Sequence, residues 1–148
     1  MGKLKILFLC TGNSCRSQMA EGWARKLKAG EIEPFSAGVR KSRMDPRAIQ
    51  VMAEAGVDIS GQFSKTVDEL PAQDFDYVIT LCAHAEENCP VFPGLVRRLH
   101  AGFDDPPKLA QDAKDDEQAL AHYRRVRDEL RDFVAAMPGN LERPVDQD

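Results

Sequence analysis

The sequence predicts an α/β fold: a single three-layer domain in which a four-stranded parallel sheet is flanked by helices. Three observations carry this. The apolar run over residues 4–9 passes through a short glycine-containing loop into a helix-forming mixture of alanine, glutamate, lysine and leucine. The run Tyr77-Val78-Ile79-Thr80-Leu81 is near-continuously apolar, as in a strand covered on both faces. Strands then alternate with helical segments, an order that right-handed crossovers wind into a parallel sheet. Reacting groups of such sheets gather at the C-terminal ends of the strands.

Taken in order, residues 4–9 form the first strand, residues 17–27 a helix and residues 34–38 a short strand ending in Ser36-Ala37-Gly38. Asp45 before Pro46 supplies an N-cap and a first-turn proline for a helix containing Ala48, Ile49, Met52 and Ala53, which Gly56 stops. Residues 57–63 read as a linker, and Ser64 with Asp68 and Glu69 as one brief helix before Pro71. Residues 76–81 are the third strand and residues 96–100 a weaker fourth. The prolines of Gly102-Phe103-Asp104-Asp105-Pro106-Pro107 enforce a loop, and residues 107–116 are a polar surface excursion. The final helix spans residues 116–137, with Leu120, Tyr123, Val126, Leu130, Phe133 and Val134 as its apolar stripe. The domain therefore covers residues 1–137, and residues 138–148 read as a loose tail.

Composition excludes several classes. A chain of 148 residues builds one real core. Its formal net charge of -4, from 20 basic and 24 acidic residues, gives no nucleic-acid footprint, so affinity for an anion must be local. The apolar start is too short to span a membrane and lacks a secretory cleavage pattern, which predicts a cytoplasmic protein with no membrane partner. Four cysteines in a reducing compartment read as catalytic, redox or metal-binding groups rather than staples.

The chemistry centres on Cys10-Thr11-Gly12-Asn13-Ser14-Cys15-Arg16-Ser17, a C-x5-R-S pattern between strand and helix. Unpaired N–H groups and the positive end of the helix dipole meet there, so the loop suits a tetrahedral oxyanion. Gly12 and Asn13 are expected to supply positive-φ turns that curl successive N–H groups inward. Cys10 faces that cradle as nucleophile; free cysteine titrates near ~8.5, and a helix N-terminus with an adjacent arginine lowers this by several units. Arg16 offers a planar fork for two oxygens, and the Ser17 hydroxyl a donor to the sulfur. A lone cysteine would read as core packing; the combination of strand, glycine, arginine, serine and helix favours chemistry. Cys15, inside the loop or first turn, reads as packing.

Cys82 ends the third strand and so should share an edge with Cys10. It is separated by six residues from Cys89, in a segment including His84. Zinc is one reading, but the spacing fits no common knuckle and no second cluster follows; a redox relay is the better-supported one. Asp105 is favoured as proton donor to an oxygen leaving the bound anion, and Asp104 as structural. His100 and His122 pair with no chemistry.

These residues resemble a thioredoxin-coupled arsenate reductase of the low-molecular-weight phosphatase fold. The likeness runs from Lys5 to about Gly139. It rests on residues 10–23, Ser36-Ala37-Gly38, Thr80-Leu81-Cys82, Asn88-Cys89-Pro90 and Gly102-Phe103-Asp104-Asp105-Pro106. The loop alone specifies the phosphatase superfamily, and the distal cysteine pair the reductase. The resemblance implies that Thr11, Gly12, Asn13, Ser14, Cys15 and Arg16 hold arsenate, with phosphate or sulfate as mimics, while Cys10 attacks arsenic and Asp105 assists departure of hydroxide. Cys82 would then attack Cys10 as arsenite leaves, Cys89 would resolve that disulfide, and thioredoxin would reduce the Cys82–Cys89 bond. It further implies a monomer with no cofactor and no resident catalytic metal.

Two departures stand out. Relatives with a structural potassium ion hold it with residues matching Asn13, Glu21 and Ser36 plus an aspartate where this chain has Lys65; the Lys65 ammonium reads either as an internal substitute for the ion or, equally, as a solvated side chain on a flexible stem. The excursion after Pro107 also exceeds that of some relatives. The nearest rival reading is a low-molecular-weight tyrosine phosphatase, which commonly places a tyrosine where Pro107 stands and does not need Cys82 and Cys89. A non-catalytic oxyanion-sensing module is the second rival.

Overall fold

In the computed structural model, which describes residues 2–141, four parallel strands line up in the order β2-β1-β3-β4. They are β1 (Leu4–Cys10), β2 (Ile32–Gly38), β3 (Tyr77–Thr80) and β4 (Arg97–His100). Central β1 is fully buried from Ile6 onward, and the apolar stretch of β3 is buried throughout. That explains why neither shows the polar alternation of a half-exposed strand. The outer strand β4 is the most solvated and carries Arg97, Arg98 and His100, polar and charged side chains that suit an uncovered sheet edge.

Among the described residues five α-helices flank the sheet: α1 (Arg16–Leu27), α2 (Pro46–Glu54), α3 (Ala83–Glu87), α4 (Pro106–Ala110) and α5 (Asp116–Ala135). Helices α1 and α5 pack together, with Trp23 Nε1 donating to Arg127 O at 3.0 Å, and Arg127 Nη1 reaching Val51 O of α2 at 2.9 Å. Asp45 caps α2 by accepting from Arg47 N at 3.0 Å, and Gly56 follows the helix with φ +84°, a left-handed stop that glycine adopts without strain. At Gly22 the helix comes close to its neighbours in the core, where a Cβ would lie 2.6 Å from Ile59 Cγ2. The expected α5 stripe is buried at Leu120, Tyr123, Val126, Leu130 and Val134, with Phe133 half-buried.

Three expectations need correction. Pro106 and Pro107 open α4 rather than a pure loop, because proline suits the first helical turn, where its missing N–H has no partner to lose. Much of the supposed surface excursion is therefore this helix, packed on α5. The docked chain also continues past residue 137: Gly139–Leu141 forms a 3-10 turn with Leu141 buried. The rest of the expected tail lies outside the described residues.

Candidate active site

The loop between β1 and α1 is built by fixing its carbonyls outward. Cys10 O accepts from Val39 N at 3.1 Å, Thr11 O from Arg40 N at 3.1 Å and Ser14 O from Asp45 N at 3.0 Å. Gly12 O accepts from the Ser64 hydroxyl at 2.8 Å, Asn13 O from Gln18 Nε2 at 3.0 Å and Cys15 O from Met19 N at 2.9 Å. In a planar trans peptide the N–H opposes the C=O, so six outward carbonyls turn the N–H groups of residues 11–16 toward the other side. That side is a cavity of about 220 Å³ lined by Cys10, Thr11, Gly12, Ser14, Cys15 and Arg16, with Arg40, Ser42, Asp105 and Pro107 at its mouth. Converging N–H groups at the start of a 12-residue helix suit a tetrahedral oxyanion.

The turn chemistry differs in one respect from the sequence expectation. Asn13 has φ +51°, but Gly12 is not in the left-handed region. Gly12 is instead a close approach, where a Cβ would lie 3.1 Å from Ser42 Cβ and exposed Ser42 would have to shift slightly. Gly38 is tighter still: a Cβ would sit 2.6 Å from Arg40 O, 2.8 Å from Thr11 O and 2.9 Å from Asn13 N, so any side chain there would displace the loop.

Cys10, 3% exposed, ends β1 with its Sγ 2.9 Å from Ser17 Oγ. The direction of that hydrogen bond follows from its neighbours. Asn13 Oδ1 takes donors from Gln18 Nε2 at 2.9 Å and Lys65 N at 3.0 Å, which leaves Asn13 Nδ2 to donate to Ser17 Oγ at 2.7 Å. With its oxygen already accepting, the single Ser17 hydroxyl hydrogen is free for the sulfur, and a thiolate is the partner that gains most from it.

Arg16 is buried at the cavity wall, its Nη1 donating to Phe103 O at 2.9 Å and its Nη2 3.8 Å from Asp105 Oδ1. Asp105 thus lines the same cavity as Cys10, on the loop that leaves β4. Asp104 turns away and pairs with Arg125 at 2.8 Å. The register brings Cys82 alongside: Leu9 pairs with Thr80, Leu81 N donates to Leu9 O at 2.9 Å, and Cys82 Sγ lies 3.2 Å from Thr11 Oγ1. Cys82 caps α3, accepting from Ala85 N at 3.4 Å, and half-buried Cys89 lies just past the helix's other end. All four thiols are free. Burial raises the Cys89 pKa above its ordinary value, against a smaller opposing pull from Arg98.

The chain matches the family described as low molecular weight phosphotyrosine protein phosphatase over residues 5–146. It belongs to that family. A protein of Halalkalibacterium halodurans named arsenate reductase is 49% identical over 130 residues, spanning 88% of this chain and 91% of its own length. Among solved structures, one described as an arsenate reductase in the phosphate binding state superposes with a TM-score of 0.69 at 38% identity, covering 93% of this chain and 95% of that one. Another, described as an arsenate reductase in oxidized state, gives 0.74 at 35% identity, covering 93% and 98%.

Within this phosphatase-family site, Cys15 is a packing thiol. Burial pushes its pKa well above the ordinary value, with Asp45 and Cys10 adding to the rise, so it stays protonated. On the far side of the loop, Lys65 Nζ lies 3.0 Å from Phe63 O, 3.4 Å from Asn13 Oδ1, 3.5 Å from Ser36 Oγ and 4.0 Å from Glu21 Oε1. Burial lowers the Lys65 pKa, and the Glu21 carboxylate opposes that shift. Glu21 also accepts from Ser36 and pairs with Arg25. Among the described residues no three His, Cys, Asp or Glu side chains converge as metal ligands.

Three contributors escaped sequence reasoning. Gln18 is wholly buried and fixes Asn13, and its only signal was adjacency to the motif. Ser64 holds Gly12 O from a segment 52 residues away. Tyr123, read only as part of an apolar stripe, donates to Asp45 Oδ2 at 2.6 Å and so ties α5 to the residue that also holds Ser14 O.

Proposed function

We propose that the protein is an arsenate reductase working through a three-cysteine relay. The observation that carries the reading is the 3.2 Å contact between Cys82 Sγ and the Thr11 hydroxyl of the oxyanion loop, with Cys89 just beyond the five-residue helix that Cys82 caps. A phosphatase needs only the first nucleophile; a second thiol against the loop and a third just past one short helix suit disulfide exchange. Relatives named arsenate reductase at 42–49% identity support the same substrate.

Arsenate enters the cradle, held by the loop N–H groups and Arg16. The Cys10 thiolate attacks arsenic, forming a sulfur–arsenic bond, while Asp105 protonates the departing oxygen so that water leaves. Cys82 attacks Cys10 Sγ. A disulfide forms, the sulfur–arsenic electron pair stays on arsenic, and As(V) leaves as As(III) arsenite. Cys89 then attacks Cys82, transferring the disulfide to Cys82–Cys89 and freeing Cys10. A dithiol reductant of the thioredoxin class takes up that last disulfide, and no further cofactor enters. The nucleophile, both distal thiols and the acid come from one chain, so the relay needs no second subunit and the reading is compatible with a monomer. Its thiols require a reducing compartment, the cytoplasm. No helix among the described residues is long and apolar enough to cross a membrane.

The same cradle and acid suit slow phosphoester hydrolysis, with Pro107 at the mouth offering no aromatic face to an aryl phosphate. The test compares arsenate-dependent NADPH oxidation, coupled through thioredoxin and its reductase, with p-nitrophenyl phosphate hydrolysis in one preparation. The reading expects rapid arsenate turnover beside weak hydrolysis. Efficient hydrolysis without arsenate turnover would identify a phosphatase, and neither activity a binding module.

A further inference from the structure

The reading of the cavity as an oxyanion site leaves open how a dianion enters it. The chain carries a net charge of -4, so its overall field opposes the approach of a dianion. Arg16 is a poor first contact. It is 8% exposed, and its guanidinium is already engaged by Phe103 O and Asp105. Asp105 itself adds a carboxylate to the cavity lining.

Arg40 has the complementary properties. It lines the same cavity, is solvent-exposed, and its guanidinium has no ion-pair partner among the described residues. Its backbone is anchored on both sides. Val39 N and Arg40 N donate to Cys10 O and Thr11 O, both at 3.1 Å, and Ser42 N donates to the Ser64 hydroxyl that also holds Gly12 O. The 2.6 Å approach that excludes a Cβ on Gly38 presses this segment onto the loop. A long, charged side chain is thus fixed at its root beside the cavity while its head stays free to move.

We infer that Arg40 is a capture residue for free tetrahedral dianions. It meets the anion at the mouth, offsets the protein's own negative field, and passes the anion to the loop N–H groups and Arg16. This role concerns binding and entry rather than bond making. It predicts selectivity for a small, fully charged oxyanion, because a guanidinium at the entrance gains most from an anion whose outer oxygens are all unsubstituted.

Inorganic phosphate is the probe, because its binding does not depend on the reductase reading. Protection of Cys10 against iodoacetamide, followed by mass spectrometry of the Cys10 peptide in the full chain, gives its dissociation constant. Arg40→Gln should weaken phosphate about fivefold at low salt, the scale of one exposed ion pair. Arg40→Lys should restore most of the loss. The gap between wild type and Arg40→Gln should close near ~0.5 M salt, where screening is nearly complete over a few ångströms. In the coupled assay the loss for arsenate should fall on KM rather than kcat. Equal phosphate constants and equal salt slopes in wild type and Arg40→Gln would overturn the inference while leaving the oxyanion cavity standing. Failure of phosphate to protect wild-type Cys10 would overturn both.

Discussion

At the scale of single residues, the site depends on directed hydrogen atoms. The Ser17 hydroxyl is steered to Cys10 by Asn13, whose orientation is fixed by Gln18 and Lys65. Ser17→Ala removes a hydrogen bond to an anionic sulfur, worth about 1–2 kcal/mol, and should slow iodoacetamide alkylation of Cys10 at neutral pH roughly tenfold. An unchanged alkylation rate would mean that the hydroxyl points elsewhere. Lys65 belongs to the same scale. With its ammonium among oxygens of Asn13, Ser36, Phe63 and Glu21, the site should be indifferent to added potassium. Thermal melts in potassium and sodium at matched ionic strength should coincide, and a potassium-specific rise in midpoint would contradict an internal cation. The residue types of this site were legible because the motif concentrates them in eight positions. Their second contacts were not. That Gly12 serves a close approach rather than a left-handed turn depends on Ser42, and that Tyr123 reaches Asp45 depends on a contact 78 residues apart.

Elements show where the proposed relay demands movement. A helix running from Cys82 to Cys89 would put the two Cα atoms roughly 10 Å apart at about 1.5 Å per step, beyond the ~7 Å a disulfide tolerates; the structure is helical only over Ala83–Glu87, with Cys82 extended before it, so α3 is the part that holds the two cysteines apart. Helix α3 is only five residues long, with Ala83, His84, Glu86 and Glu87 exposed and Ala85 its sole buried residue. Such a helix unwinds at little cost. Hydrogen exchange on Cys10→Ser/Cys15→Ser protein should therefore show protection falling between Ala83 and Asn88 when the Cys82–Cys89 bond forms. Unchanged protection with that bond confirmed would rule out redox-driven unwinding. Helix α1 is the rigid counterpart, buried from Arg16 to Ala24. Gly22→Ala should lower the melting temperature by a few degrees. Overpacking against Ile59, Val57 and Met52 costs about 1–3 kcal/mol and outweighs a helix-propensity gain of up to about 1 kcal/mol. Strands and long helices were readable because burial imposes a period. Short α4 was not, because Pro106 and Pro107 break helices in general and are accommodated here only as first-turn residues.

For the whole molecule, the parallel sheet and the placement of Cys10 and Cys82 at one sheet edge followed from the alternation of strands and helices, whereas the strand order β2-β1-β3-β4 and the docking of Leu141 did not, since alternation leaves the winding open and one apolar residue after a proline and a glycine leaves no period to read. The buried protonated groups set an alkaline limit on stability. Cys15 and Tyr123 both have raised pKa values, each chiefly through burial and then through Asp45. In the unfolded chain these groups lose protons near ~8.5 and ~10 while the folded chain retains them, so stability falls as pH rises past those values. Chemical denaturation should show a decline beginning near pH 8.5, and Tyr123→Phe should remove the part that develops above pH 10. An alkaline limb identical in that variant would mean that Tyr123 makes no contribution to it. The three-thiol relay is decided by arsenate turnover with thioredoxin in Cys10→Ser, Cys82→Ser and Cys89→Ser, with p-nitrophenyl phosphate hydrolysis measured on the same samples. The relay predicts that Cys10→Ser loses both activities, while Cys82→Ser and Cys89→Ser lose multiple turnover of arsenate and keep hydrolysis. Sustained thioredoxin-dependent arsenate turnover in either distal variant would contradict it.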